Sequence, residues 1–118
     1  MRILIVDDEP ALRKSLRRLL REHEVVEAPS ASVACEALVT EPEIDAVISD
    51  VMMPGGTGAD LHRWVLEHRP DLATHFIFMT GGVPNPEIRR YVDGAGAPIL
   101  SKPFTVSEVK DLLAGFIS

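Results

Sequence analysis

Five residues with charge or hydroxyl chemistry stand where apolar runs stop. Ile3 to Val6 runs into Asp7 and Asp8, and Ile44 to Ser49 runs into Asp50. His75 to Met79 runs into Thr80-Gly81-Gly82, and Ala97 to Ser101 into Lys102-Pro103. An acid in such a place is commonly a turn former or a helix cap, and a lysine before proline is commonly solvated, so no single member is diagnostic. Brought together they would be different. Three gathered carboxylates repel one another and drive their pKa values up unless a cation joins them. A hard divalent ion with oxygen ligands, Mg²⁺ in its usual form, is the economical answer. Lys102 would add a positive charge and Thr80 a hydroxyl donor, which together suit a phosphoryl group arriving at Asp50. Carboxylates that form aspartyl-phosphates are an established kind of covalent nucleophile. Cations around the equatorial oxygens are what phosphoryl transfer needs.

The elements that must position these residues can be read from the same runs. Ile3 to Val6 is apolar without alternation, as in a strand buried on both faces. Pro10 suits the first turn of a helix in which Leu12, Leu16, Leu19 and Leu20 share one face. Arg13, Lys14, Arg17, Arg18 and Arg21 occupy its other faces, as a solvated or docking surface. Glu24 to Ala28 is a strand hydrophilic enough for a sheet edge. Ser30 caps a helix carrying Val33, Ala34, Ala37 and Leu38 that ends before Pro42.

After Asp50, the Pro54-Gly55-Gly56 loop leads to a helix from Thr57 or Gly58 to His68, with Leu61, Trp64 and Val65 inward and Pro70 as its stop. Pro84 to Val92 forms a short helix with Ile88, Tyr91 and Val92 inward. Pro98 is tolerable in the fifth strand only at an edge. The last helix opens at Thr105 or Ser107 and presents Val106, Val109, Leu112, Leu113, Phe116 and Ile117.

Five β-α units without a repeat or linker imply a parallel sheet covered by helices on both sides, an α/β fold. The favoured strand order is 2-1-3-4-5, the doubly wound, flavodoxin-like arrangement, with the second and fifth strands at the edges. All five strand ends then share one rim, and the first and third flank the switch point. Residues 1–118 form one domain. No apolar run approaches the roughly 20 residues of a membrane span, and Met1 to Val6 is a strand rather than a signal peptide. One cysteine, Cys35, excludes an internal disulfide and a cysteine-based metal site, which makes the cytoplasm the default compartment. A net charge of −6 argues against direct nucleic-acid binding.

On these residues the chain resembles the receiver domain of two-component response regulators. The likeness runs through Val6-Asp7-Asp8-Glu9, Asp50-Val-Met-Met-Pro54 with Gly58, Thr80-Gly81 and Lys102-Pro103-Phe104. Thr80 lies 30 residues after Asp50 and Lys102 lies 22 after Thr80, the spacing such domains show. The resemblance implies that Asp50 accepts a phosphoryl group from a phosphohistidine on a histidine kinase or phosphotransfer domain. It implies Mg²⁺ on Asp8, Asp50 and the backbone carbonyl of Met52, with Asp7 acting largely through water. It implies docking of the donor at Leu12, Lys14, Ser15, Pro103 and Phe104, and leaves a homodimer open. Such a domain promotes its own phosphorylation and dephosphorylation without being a conventional enzyme, and Met52 and Gly82, which flank the site, are expected to affect the phosphorylated lifetime.

One departure matters: the aromatic residue usual three positions before the lysine is Ile99 here, so ring rotation cannot be the readout. The segments Phe78 to Gly82 and Ala97 to Phe104 are similar to receivers at the C-terminus of hybrid histidine kinases, against the alternative of a stand-alone regulator. Three other functions fit the residues less well. A phosphatase of the haloacid dehalogenase class needs D-x-D at the first strand, and Asp7 is followed by Asp8, Glu9 and Pro10. A binding-only pseudo-receiver would not need the intact acidic set. A flavin-binding module would need a phosphate-cradling loop after the first strand.

Overall fold

A computed structural model describes residues 1–83 and 85–117, the last by its backbone alone. Five parallel strands, β1 (Arg2–Val6), β2 (Glu24–Ala28), β3 (Ala46–Asp50), β4 (Phe76–Thr80) and β5 (Ile99–Ser101), form one sheet in the order β2-β1-β3-β4-β5. This is the expected topology. The six helices are α1 (Pro10–Leu19), α2 (Ala31–Thr40), α3 (Gly58–His68), α4 (Pro70–Ala73), α5 (Pro86–Gly94) and α6 (Val106–Ile117).

Each central strand sends alternate side chains to opposite faces, as the two-residue repeat of a strand requires. Ile3, Ile5, Ala46, Ile48, Ile77 and Met79 pack under α1 and α6 with Leu16, Leu20, Val109 and Leu113. Leu4, Val6, Val47, Phe76 and Phe78 pack on the other side with Ala34, Leu38, Leu61, Val65 and Val92 from α2, α3 and α5. The middles of the three central strands are therefore apolar on both faces, and the half-exposed residues of β2 mark it as an edge.

Local signals set the helix starts. Ser30 Oγ accepts the Val33 N–H. Thr57 and Asp60 cap one another reciprocally, as do Thr105 and Glu108. Several details differ from the sequence reading. Pro70 does not only stop α3: its fixed φ also suits a first helical position, and a further turn, α4, starts there. The fifth strand is shorter than expected. Pro98 lies just outside it, where its carbonyl still accepts the Phe78 N–H at 3.0 Å. Asp50 is the last residue of its strand rather than the first of a loop. Val33 and Val106 are exposed, not inward. The helix after β4 starts at Pro86 with Asn85 as its cap, and the expected starting residue Pro84 lies outside the described residues, as does the Ile117 side chain.

Candidate functional site: an acidic pocket at the carboxyl rim

The pocket follows from where β1 and β3 end. They are neighbours in register, with Val6 beside Ser49, so the next residue of each chain, Asp7 and Asp50, stands on the same rim. Asp7, Asp8 and Asp50 each offer an oxygen within 4.8 Å of the others, with Asp7 and Asp50 buried and Asp8 exposed. Lys102 arrives from the end of β5, where its N–H bonds to the Thr80 carbonyl at 2.7 Å. Its ammonium lies 3.2 Å from Asp7 Oδ2 and 3.5 Å from Asp50 Oδ2. The Lys102–Pro103 peptide is cis.

The electrostatics are those of too many acids for one cation. Burial pushes the Asp50 carboxyl above its ordinary range; Lys102 pulls it back, and Asp7 raises it again. Burial alone would lower the Lys102 ammonium, yet Asp50 and Asp7 hold it above its usual value. The two acids are not equivalent. Asp7, 1% exposed, has both oxygens engaged, Oδ1 by the Glu9 N–H at 2.8 Å and Oδ2 by Lys102. Asp50, 8% exposed, is held by Lys102 and a backbone hydrogen bond from Met52. The Asp8 carboxylate has no hydrogen-bond partner among the described residues and faces solvent. The oxygen-only donor set, one acid free and two buried, fits a hard divalent cation of the Mg²⁺ type.

The loop after Asp50 is pinned rather than open. Val51 and Met53 are buried, Met52 between them is exposed, and the Gly58 N–H returns to the Val51 carbonyl at 2.8 Å. A Cβ on Gly58 would collide with the Asp50 carbonyl oxygen, so glycine is what lets α3 begin against the site. Thr80 stands one residue beyond the Asp50–Met79 pair on β4, and its hydroxyl accepts the Gly82 N–H at 2.9 Å. Gly82 has φ of +126°, a conformation that favours glycine.

Leu12 and Phe104 are half-buried against the α1/α6 layer, while Lys14, Ser15 and Pro103 are exposed. Ile99, noted in the sequence as standing where receiver domains usually carry an aromatic residue, is 41% exposed beside Thr80, Val83 and Val92.

Two sets of residues escaped the sequence reading. His62 is buried on α3, and its Nδ1 lies 2.7 Å from the Tyr91 hydroxyl of α5; burial lowers its pKa. Arg13 and Arg17, read as a solvated or docking face, turn inward onto Glu27 of β2 at 3.1 Å each. The strand alternation carried that signal: Glu27 shares a face with Val25, the face that α1 covers.

Comparison with known proteins agrees with this geometry. Residues 3–114 match the model of the response regulator receiver domain. The chain is 34% identical over 119 residues to the sensory/regulatory protein RpfC of Xanthomonas campestris pv. campestris, covering 97% of this chain and 16% of that protein. It is 35% identical over 118 residues to the sensor kinase CckA of Brucella abortus, covering 94% of this chain and 12% of that one. Among solved structures, the response regulator TrrA of Thermotoga maritima, in complex with Mg²⁺-BeF, superposes with a TM-score of 0.82 at 27% identity, over 98% of this chain and 97% of that one. This chain belongs to the response regulator receiver family. It is a phosphoacceptor signalling domain of the two-component kind rather than a turnover enzyme.

Proposed function

We propose that Asp50 is the acceptor, taking a phosphoryl group from a phosphohistidine. The observation that carries this is the unequal engagement of the two buried acids. Both oxygens of Asp7 are spoken for, one by the Glu9 N–H and one by Lys102 at 3.2 Å, while Asp50 is the more exposed of the two and meets Lys102 at the longer distance of 3.5 Å. In the transfer the P–N bond of the donor breaks, an Asp50 oxygen forms the new P–O bond, and the imidazole nitrogen keeps the electron pair and takes up a proton. Lys102 offsets charge on the phosphoryl oxygens, and Thr80 turns its hydroxyl proton toward one of them. Asp8, Asp50 and the Met52 carbonyl would hold Mg²⁺, with Asp7 acting through water. The ion would supply charge neutralisation for the phosphoryl group in transfer.

The donor is a histidine kinase or a histidine phosphotransfer domain, and its docking surface is Leu12, Lys14, Ser15, Pro103 and Phe104. The chain spans 16% and 12% of the lengths of RpfC and CckA, and we read it as a receiver that works within, or beside, a sensor kinase of that hybrid kind. Among the described residues no helix is long and apolar enough to cross a membrane; we place the domain in the cytoplasm because we place its phosphohistidine donor there. Incubation with Mg²⁺ and either acetyl phosphate or a phosphorylated histidine donor should add one phosphoryl group to the unmodified chain and none to Asp50→Asn. Labelling that persists undiminished in Asp50→Asn would overturn the assignment.

A further inference from the structure

Asp7 extends the line of β1 by one residue, and its N–H donates to the Ala28 carbonyl, the last of β2, at 3.1 Å. Its own carbonyl lies at a buried residue, where an unpaired oxygen would be costly. The Arg13 guanidinium takes that place, with Nη1 donating to the Asp7 carbonyl at 2.6 Å. The guanidinium is itself held: its Nε donates to Glu27 Oε1 at 3.1 Å, and Arg17 braces the second Glu27 oxygen at 3.1 Å. Arg17 also donates to the Val25 carbonyl at 2.8 Å but makes no contact with Asp7.

The peptide between Asp7 and Asp8 is one rigid plane, so clamping its carbonyl fixes where Asp8 starts. That matters because the Asp8 carboxylate has no side-chain partner among the described residues. Its aim depends on the backbone that carries it.

We infer that Arg13, braced by Glu27, is a positioning residue for the divalent-cation pocket: it locks the Asp7–Asp8 peptide so that Asp8 meets Asp7 and Asp50. This rests on the reading that the acidic pocket takes Mg²⁺. The sign of the effect separates it from simple electrostatics. Arg13 is a cation close to an acidic pocket, so by charge alone its removal would tighten Mg²⁺ binding. As a positioning residue its removal weakens binding, by roughly tenfold on the scale of outer-shell partners of metal ligands.

The test is calorimetric titration of Mg²⁺ into the folded chain and three variants. Arg13→Ala should bind roughly tenfold more weakly. Arg13→Lys keeps the charge, but one ammonium cannot serve both Glu27 and the Asp7 carbonyl, so it should fall between the two. Arg17→Ala, which removes a neighbouring cation and a tie to β2 but leaves the Arg13 contacts to Glu27 and the Asp7 carbonyl in place, should bind as the unmodified chain does. Arg13→Lys carries the comparison should Arg13→Ala fail to fold, as judged by circular dichroism. Unchanged or tighter binding in either Arg13 variant, or equal weakening in Arg17→Ala, would overturn the inference. An unmodified chain that takes up no Mg²⁺ would overturn the metal reading together with it.

Discussion

The two rims of the sheet carry similar charge and treat it in opposite ways. At the amino-terminal rim, Arg2 is surrounded by Glu24, Glu41 and Glu43 at 3.1 to 3.5 Å, and its backbone N–H bonds to Asp45. At the carboxyl rim, Lys102 faces Asp7 and Asp50, with Asp8 beside them. Acids outnumber the central cation at both ends. What differs is burial: the Glu24 and Glu43 side chains are 73% and 55% exposed, whereas Asp7 and Asp50 are nearly closed off. Water satisfies the surplus charge at the first rim; at the second, where burial shuts water away from Asp7 and Asp50, a cation from outside would relieve it. A cluster of acids points to chemistry when it is buried and underpaired, and is ordinary surface when it is not.

The largest way to break this contrast is to disturb the backbone that closes the carboxyl rim. Gly58→Ala drives a methyl group against the Asp50 carbonyl and should cost about 3 kcal/mol in urea denaturation, the upper range for overpacking. A loss under about 0.5 kcal/mol would mean that α3 shifts freely away from the site.

Lys102→Met comes next. It strands the buried Asp7 carboxylate, and because Lys102 is about a quarter exposed the loss at neutral pH should be about 2 kcal/mol rather than the full cost of a broken buried pair. Saturating Mg²⁺ should return much of it, and a loss insensitive to Mg²⁺ would count against the shared-charge account.

Asp50→Asn should do the reverse and stabilise the metal-free chain by roughly 1 kcal/mol at neutral pH. The Asp50 pKa is raised by burial above its unfolded value, so between the two values the native state holds a proton that the unfolded state has released. Stability from this group is therefore greatest at or below the ordinary carboxylate pKa and is lost as pH rises through the raised one. The gain in Asp50→Asn should shrink on acidification across that window; a gain constant with pH would place its origin elsewhere.

The smallest effect belongs to the other rim. Glu43→Gln should change stability by less than about 0.5 kcal/mol, and salt should erase the difference.

The sheet order and the five rim residues could be read from the chain because β1, β3, β4 and β5 each end where an apolar run meets a polar residue, while β2 is hydrophilic enough to mark an edge. A parallel sheet then places those ends together without further information. The Arg13–Glu27 brace was hidden for the opposite reason. It joins residues 14 apart whose meeting depends on β2 lying beside β1, and a helical cation looks the same in sequence whether it faces water or a carboxylate. The His62–Tyr91 bond links α3 to α5 across 29 residues and gave no periodic signal, since a histidine amid Leu61 and Trp64 reads as part of an apolar face. Pro70 was ambiguous because the same ring that ends one helix can begin another. The missing aromatic at Ile99 was plain in the sequence.

The contrast between the rims is tested most directly by titrating Mg²⁺ into the unmodified chain, Asp8→Asn and Glu43→Gln by calorimetry at neutral pH. One ion should bind the unmodified chain and Glu43→Gln alike, and bind Asp8→Asn at least tenfold more weakly, on the scale expected for loss of a metal ligand or its support. Binding that ignores Asp8→Asn, or that weakens with Glu43→Gln, would contradict the claim that buried, underpaired acids make the carboxyl rim the working one.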